Sequence, residues 1–195
     1  MLPCAYSFEN ARLVVREMAD RIALDLVDQG LLTDQLMLTV GYDRENLRHT
    51  RSGGAYQGET APDRYGRAVP RHAHGSENLG RFTDSANRLM EAASALFDRI
   101  VDPELMIRRL TLTAGHVVGE AEAREAKRYE QLELFGEPPE KAEQEEARQE
   151  REKKWQKAML GIQKKYGKNA VLRGMNLEEG ATARERNEQI GGHKA

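Results

Sequence analysis

The sequence predicts an α+β fold: a small antiparallel sheet with two helices on one face, followed by a charged helical or disordered tail. Three observations predict it. Apolar residues recur at helical spacing across 11–26 and again across 89–100. They alternate at strand spacing across 35–42 and 106–114. Beyond Gln131-Leu132-Glu133-Leu134-Phe135 the chain turns into mixed charge and then a glycine-broken polar tail.

The first helix opens at Ser7, an N-cap residue, with Glu9 favourably placed in the first turn. Ala11, Val15, Met18, Ile22 and Leu26 form its apolar stripe, and Gly30 ends it with Leu31 supplying the contact of a glycine cap. From Gln35 to Tyr42, the residues Leu36, Leu38, Val40 and Tyr42 share one face, while Met37, Thr39 and Gly41 share the other. The second face is small and mildly polar, which fits a sheet covered on one side only. A second strand is expected within 75–82. A second helix, capped by Thr83 or Asp84, buries Leu89, Ala93, Leu96, Phe97 and Ile100 until Asp102-Pro103 breaks it. The third strand, about 106–114, sets Leu110, Leu112 and Ala114 against Arg109, Thr111 and Thr113. A complete split βαβ arrangement needs a strand before the first helix, and Met1-Leu2-Pro3 stands too late to supply one.

Residues 43–75 have no sustained period and carry Gly53-Gly54, Gly58, Pro62, Gly66 and Pro70, so they read as a long loop or irregular hairpin excursion. This stretch holds Arg44, Arg48, Arg51, Arg64, Arg67 and Arg71 against only Glu45, Glu59 and Asp63 once the strand ends at Asp43. It is a local basic patch that the whole-chain charge of −2 conceals. The plain alternative is a solvated surface.

Composition excludes several classes. With 39% hydrophobic and 32% charged residues and a mean hydropathy of −0.74, the core is modest and the surface well solvated. The single Cys4 rules out an internal disulfide and fits a reducing cytosol. There is no membrane-length apolar run and no signal pattern, so a soluble cytoplasmic protein is expected. His72 and His74 lack companions for a metal site, and Asp34, Asp43 and Asp63 are scattered. No Ser-His-Asp arrangement or phosphate-cradling glycine loop stands out, so no catalytic residue is assigned.

The pentapeptide at 131–135 sets Leu132, Leu134 and Phe135 in polar surroundings, and Pro138-Pro139 prevents a helix from absorbing them. It is either a strand or turn that tucks back onto the domain, or a short linear peptide that inserts these three side chains into a partner's groove. In the second reading, favoured here, Gln131 hydrogen-bonds at the rim. From Glu140 to Lys164 good helix formers dominate. The second half acquires Trp155, Met159, Ile162 and Tyr166 on one face, to dock on the chain's own domain or to serve a partner or DNA backbone with Lys153, Lys154, Lys157, Lys164 and Lys165. The division is therefore 1–119 for the domain, 120–138 for the linker with its peptide, 139–167 for the charged helix and 168–195 for the polar tail.

Leu2-Pro3-Cys4-Ala5-Tyr6, Arg12-Leu13-Val14-Val15-Arg16-Glu17-Met18 and the run from Thr33 to Asp43 closely resemble the little-finger domain of bacterial Y-family DNA polymerases, the DinB/UmuC-type translesion enzymes. His74-Gly75-Ser76-Glu77-Asn78-Leu79, Ile107-Arg108-Arg109-Leu110, Lys165-Tyr166-Gly167-Lys168-Asn169 and Ile190-Gly191-Gly192-His193 are similar to the same group. The resemblance implies a role in DNA repair, translesion synthesis and the SOS response, with the open sheet face along primer-template duplex. Thr39, Arg109, Thr111 and Thr113 would face the DNA, joined by Arg44, Arg48, Arg51 and Arg71 of the loop. Gln131, Leu132, Leu134 and Phe135 resemble the family's peptide for the bacterial sliding clamp, with Glu133 a mild departure at the middle position.

The family's catalytic palm, with carboxylates for two Mg²⁺ ions, has no counterpart here. The chain is thus expected to hold no cofactor and not to polymerise DNA alone. The leading expectation is the DNA- and clamp-binding C-terminal part of a translesion polymerase. The alternative is a stand-alone, non-catalytic protein that occupies the clamp or the polymerase's docking sites. A helical adaptor unrelated to DNA ranks last, because it would leave the loop arginines idle.

Overall fold

The computed structural model of the chain describes residues 2–123, 139–190 and 193–194. Helix α1 spans Phe8–Gln29. Ser7 caps it by accepting a hydrogen bond from the Asn10 N–H at 3.3 Å, and Gly30 closes it at φ 66°, a left-handed conformation that costs glycine little. Both ends follow the sequence pattern.

Strand β1, Leu31–Tyr42, is the centre of the sheet. It pairs antiparallel with β4, Ala73–Thr83, on one side and with β5, Ile107–Gly115, on the other. It starts earlier than its alternating pattern because Leu31 and Leu32 pair with the short β6, Val118–Gly119, a partner remote in sequence. Between β1 and β4 lie a 3-10 turn, Arg44–Leu47, and a hairpin of β2, Thr60–Pro62, with β3, Ala68–Pro70. The irregular excursion is thus a small hairpin on two connectors.

Helix α2, Ala86–Ile100, is capped by Ser85 rather than by Thr83 or Asp84. The Thr83 hydroxyl instead accepts the Ser85 N–H at 3.1 Å, positioning the true cap. Leu36, Leu38 and Val40 of β1 and Ile107 and Leu112 of β5 are buried beneath Ala11, Val15 and Ala19 of α1 and Leu89, Ala93, Leu96 and Phe97 of α2. Phe8 and Phe97 meet with ring centroids 4.9 Å apart. Both helices lie on this one face, and among the described residues no helix lies on the other. That burial supplies most of the drive to fold, at about 25 cal/mol per Å² of apolar surface.

Residues 2–6 run beside β5, joined to it by one isolated bridge. Tyr6 and Ile107 exchange backbone hydrogen bonds, each 2.8 Å, and the Leu2 N–H donates to the Arg108 carbonyl at 3.1 Å.

The charged helix and the tail pack against α1. Helix α3, Pro139–Tyr166, buries Met159 and Leu160 on Leu24 and Val27. Gln156, fully buried, donates to the Asp84 carbonyl. The Glu152 carboxylate accepts from the Ser85 hydroxyl at 2.7 Å and the Asn87 N–H at 2.9 Å, so an anion sits at the N-terminus of α2. Lys153 joins Asp84 and Glu120, each at 2.7 Å. These bonds hold the Lys153 ammonium above its ordinary pKa although burial pulls the other way most strongly. Of the face Trp155, Met159, Ile162 and Tyr166, only Met159 docks; the other three are exposed.

The tail folds as a 3-10 turn, Gly174–Leu177, and a short helix α4, Ala183–Asn187, followed by strands β7, Gln189–Ile190, and β8, His193–Lys194. Its anchor is Glu17 of α1, 2% exposed. That carboxylate accepts from Asn176 Nδ2 at 2.9 Å, the Ala183 N–H at 3.0 Å, and both the N–H and the hydroxyl of Thr182 at 2.8 and 3.1 Å. Asp20 beside it pairs with Arg173 at 2.7 Å, and burial raises the Asp20 pKa against that pairing.

Candidate nucleic-acid interface

The uncovered face of the sheet follows directly from strand periodicity. With Leu36, Leu38 and Val40 turned to the core, Met37, Thr39 and Gly41 must face away. Register then decides their neighbours. Thr39 lies between His74 of β4 and Thr111 of β5, Met37 between Ser76 and Thr113, and Gly41 opposite Arg109. The face is therefore a polar grid with one methionine at its centre. Thr39 Oγ1 and His74 Nδ1 are 2.9 Å apart and hydrogen-bonded. His74, Ser76, Arg109, Thr111 and Thr113 are exposed, while Met37 and Thr39 are half-buried by their neighbours.

Gly41 has a specific role on this face. A Cβ built there would stand 3.2 Å from the Arg109 Cβ, tighter than ordinary packing. Its absence leaves room for the Arg109 side chain beside β1. Among the described residues Arg109 has no acidic partner, so its charge is available to a ligand.

The structure brings four of the sequence-predicted residues together on this face: Thr39, Arg109, Thr111 and Thr113. Arg44 and Arg48 stand at the end of β1 nearest Arg109, in and just after the 3-10 turn, both exposed and without an ion pair among the described residues. The turn is held rigidly. Asp43 accepts the Glu45 N–H at 2.9 Å, and the fully buried Asn46 donates to the carbonyls of Asp43 and Met106 and accepts from the Met106 N–H, each at 2.8 Å. Asn46 thereby ties the end of β1 to the start of β5.

Two predicted residues are engaged elsewhere. Arg51 turns toward the start of α1, where it meets Glu9 at 3.4 Å and donates to the Pro103 carbonyl at 3.1 Å. Arg71 pairs with Glu59 at the base of the β2–β3 hairpin. Arg67 is likewise bound to Asp63 at 2.7 Å within that hairpin. These charges are balanced locally, so the basic patch of the sequence is less concentrated than its composition implies.

Sequence reasoning did not assign His74 and Ser76 to the interface. The signal was present, since His74, Ser76 and Asn78 alternate with Ala73, Gly75 and Glu77. A strand was expected within 75–82, but the weak apolar character of that alternation left its two faces unassigned and its start at Ala73 unmarked. The clamp-type residues Gln131, Leu132, Leu134 and Phe135 lie outside the described residues.

Among the described residues, no group of three or more His, Cys, Asp or Glu side chains is placed to hold a metal ion. No helix among them is long and apolar enough to cross a membrane. What the geometry offers is a shallow, polar, partly basic surface on a rigid sheet, suited to hydroxyl and guanidinium contacts with phosphates.

Residues 3–134 match the model of the impB/mucB/samB family C-terminal domain. No curated protein matches the chain.

Proposed function

Because the chain belongs to the impB/mucB/samB C-terminal domain family, the C-terminal domain of Y-family polymerases, we propose that its open sheet face holds duplex DNA through the phosphate backbone. The single observation that supports this most is the grid of Thr39, Thr111, Thr113, His74 and Arg109 on the side of the sheet where, among the described residues, no helix lies and Arg109 has no ion pair. Hydroxyls and a guanidinium accept any base sequence, as translesion synthesis requires, because they bind what every nucleotide shares. Arg44 and Arg48 extend the surface at one end, and Arg51 and Arg71 join only by leaving Glu9 and Glu59. In this reading the protein works in the cytoplasm on primer-template duplex. Nucleotide transfer belongs to a palm domain with its own carboxylates and Mg²⁺.

We further assign Gln131, Leu132, Leu134 and Phe135 to a bacterial sliding clamp, on the strength of their sequence pattern. Such tethering raises the local concentration of the sheet at DNA without demanding tight DNA binding.

Two experiments separate these roles. Adding a short duplex to isotope-labelled protein should move the amide resonances of β1, β4 and β5 far more than those of α1 and α2. Shifts confined to the helices would overturn the sheet assignment. Purified chain should bind the clamp, and Leu134→Ala/Phe135→Ala should abolish that binding. Equal binding by the double variant would remove the peptide from the account.

A further inference from the structure

We infer that the solvent-facing side of α3 is a second nucleic-acid site, one that takes single-stranded DNA or RNA by stacking bases on Trp155 and Tyr166. This site is independent of the sheet face, since α3 packs on α1 and so lies on the helix side of the sheet.

Two kinds of residue compose it. Between residues 148 and 168 the sequence has eight Lys and Arg against two Glu, in a chain whose net charge is −2. Packing then sorts these charges. Glu152 turns inward to the α2 N-terminus, Lys153 turns inward to Asp84 and Glu120, and the exposed Lys164 is occupied by Asp28. Arg151, Lys154 and Lys165 remain exposed, and none forms an ion pair among the described residues. Arg151 shares a face with Trp155, Ile162 and Tyr166, because positions four, seven and eleven apart align on a helix, and Lys154 and Lys165 flank that face as the immediate neighbours of Trp155 and Tyr166. Exposure there is unusual for residues of this size: 46% for Trp155, 41% for Ile162 and 67% for Tyr166.

The aromatic rings are braced rather than loose. The Arg173 guanidinium lies 4.9 Å from the centroid of Trp155 and is itself paired to Asp20 at 2.7 Å. The Lys165 ammonium sits 5.1 Å from the centroid of Tyr166. Each ring thus has a cation against it and remains substantially open, which suits a base stacked on the free side. At a rise of 1.5 Å per residue the two rings are about 16 Å apart along the helix. About five stacked nucleotides, or fewer extended ones, span that distance. Cations alone would suit any polyanion. The pairing of cations with open aromatic faces selects unpaired bases, whose π-faces a duplex keeps hidden.

Trp155 is the only tryptophan in the chain, so its fluorescence reports on this site alone. Titrating the full chain with an oligothymidylate of about fifteen nucleotides should quench the emission, and added salt should reverse the effect. A duplex of equal length and a polyglutamate should leave the emission essentially unchanged. Tyr166→Ala and Lys154→Ala remove no buried contact, and each should weaken the single-strand titration by about fivefold or more, within the range of stacking and phosphate contacts. Unchanged emission with the oligothymidylate would overturn the proposal. So would equal quenching by the duplex, which would mark a plain phosphate surface, or by polyglutamate, which would mark a surface for an acidic protein.

Discussion

The carboxylate of Glu17, buried on α1, accepts hydrogen bonds from both the backbone N–H and the hydroxyl of Thr182, 165 positions away along the chain. This one contact explains why a polar, glycine-rich tail folds at all. Four further donors or charges converge on or beside it, so the buried anion is compensated, and its compensation is the tail. Glu17→Ala should therefore destabilise the protein by about 3 kcal/mol or more, as loss of one partner from a buried charged network does. Limited proteolysis of the variant should cut first within 170–190, while hydrogen exchange in β1 and β5 stays slow. First cleavage elsewhere would show that the tail has another anchor.

Asn46 makes the analogous staple between β1 and β5. Asn46→Ala orphans the Met106 N–H, while the Asp43 and Met106 carbonyls each keep a backbone donor, so the variant should lose about 1–3 kcal/mol. Asn46→Asp should be worse, because a carboxylate oxygen would then face the carbonyls of Asp43 and Met106. Urea denaturation of both variants checks the order. A milder effect from Asp than from Ala would contradict the geometry.

The β2–β3 hairpin carries a pH signature. Hydrogen bonding from the Arg67 side chain, aided by the N–H groups of Arg67 and Tyr65, lowers the Asp63 pKa to about 2. A depressed folded-state pKa means that the stabilising contribution is fully present above the ordinary value of 3.8 and is lost as the pH falls through about 2. An NMR titration of the Asp63 carboxyl carbon should find its midpoint near 2, and Arg67→Ala should return it toward 3.8. An unchanged midpoint in the variant would assign the shift to the turn's backbone instead.

The parts of the fold legible in the sequence are those that hydrophobic period controls. The Ser7 cap, the Gly30 stop and the alternation from Leu36 to Tyr42 each state their structure locally. Three features escaped because partners remote in sequence decide them. Strand β1 gains its first residues from pairing with β6. Helix α3 docks through Glu152, Lys153 and Gln156, polar groups whose buried partners on α2 and its flanks leave no apolar signature. The tail is organised by Glu17, which reads in the sequence as one more charge on an amphipathic helix. On the open sheet face, alternation set Arg109, Thr111 and Thr113 on one side of their strand and Thr39 on one side of its own, and the family resemblance supplied their expected role toward DNA. The ion pairs that engage Arg51 and Arg71 depend on Glu9 and Glu59, which no spacing rule connects to them.

In the proposed function the open sheet face grips the DNA backbone through Arg109 and its hydroxyl neighbours. Measuring the salt dependence of duplex affinity for the wild type and Arg109→Ala decides whether it does. Each phosphate contact by a cation contributes close to one unit to the slope of log affinity against log salt. The variant should bind more weakly to every duplex sequence alike, with the slope reduced by about one. An Arg109→Ala protein with wild-type affinity and an unchanged slope would contradict the account and move DNA binding off this face.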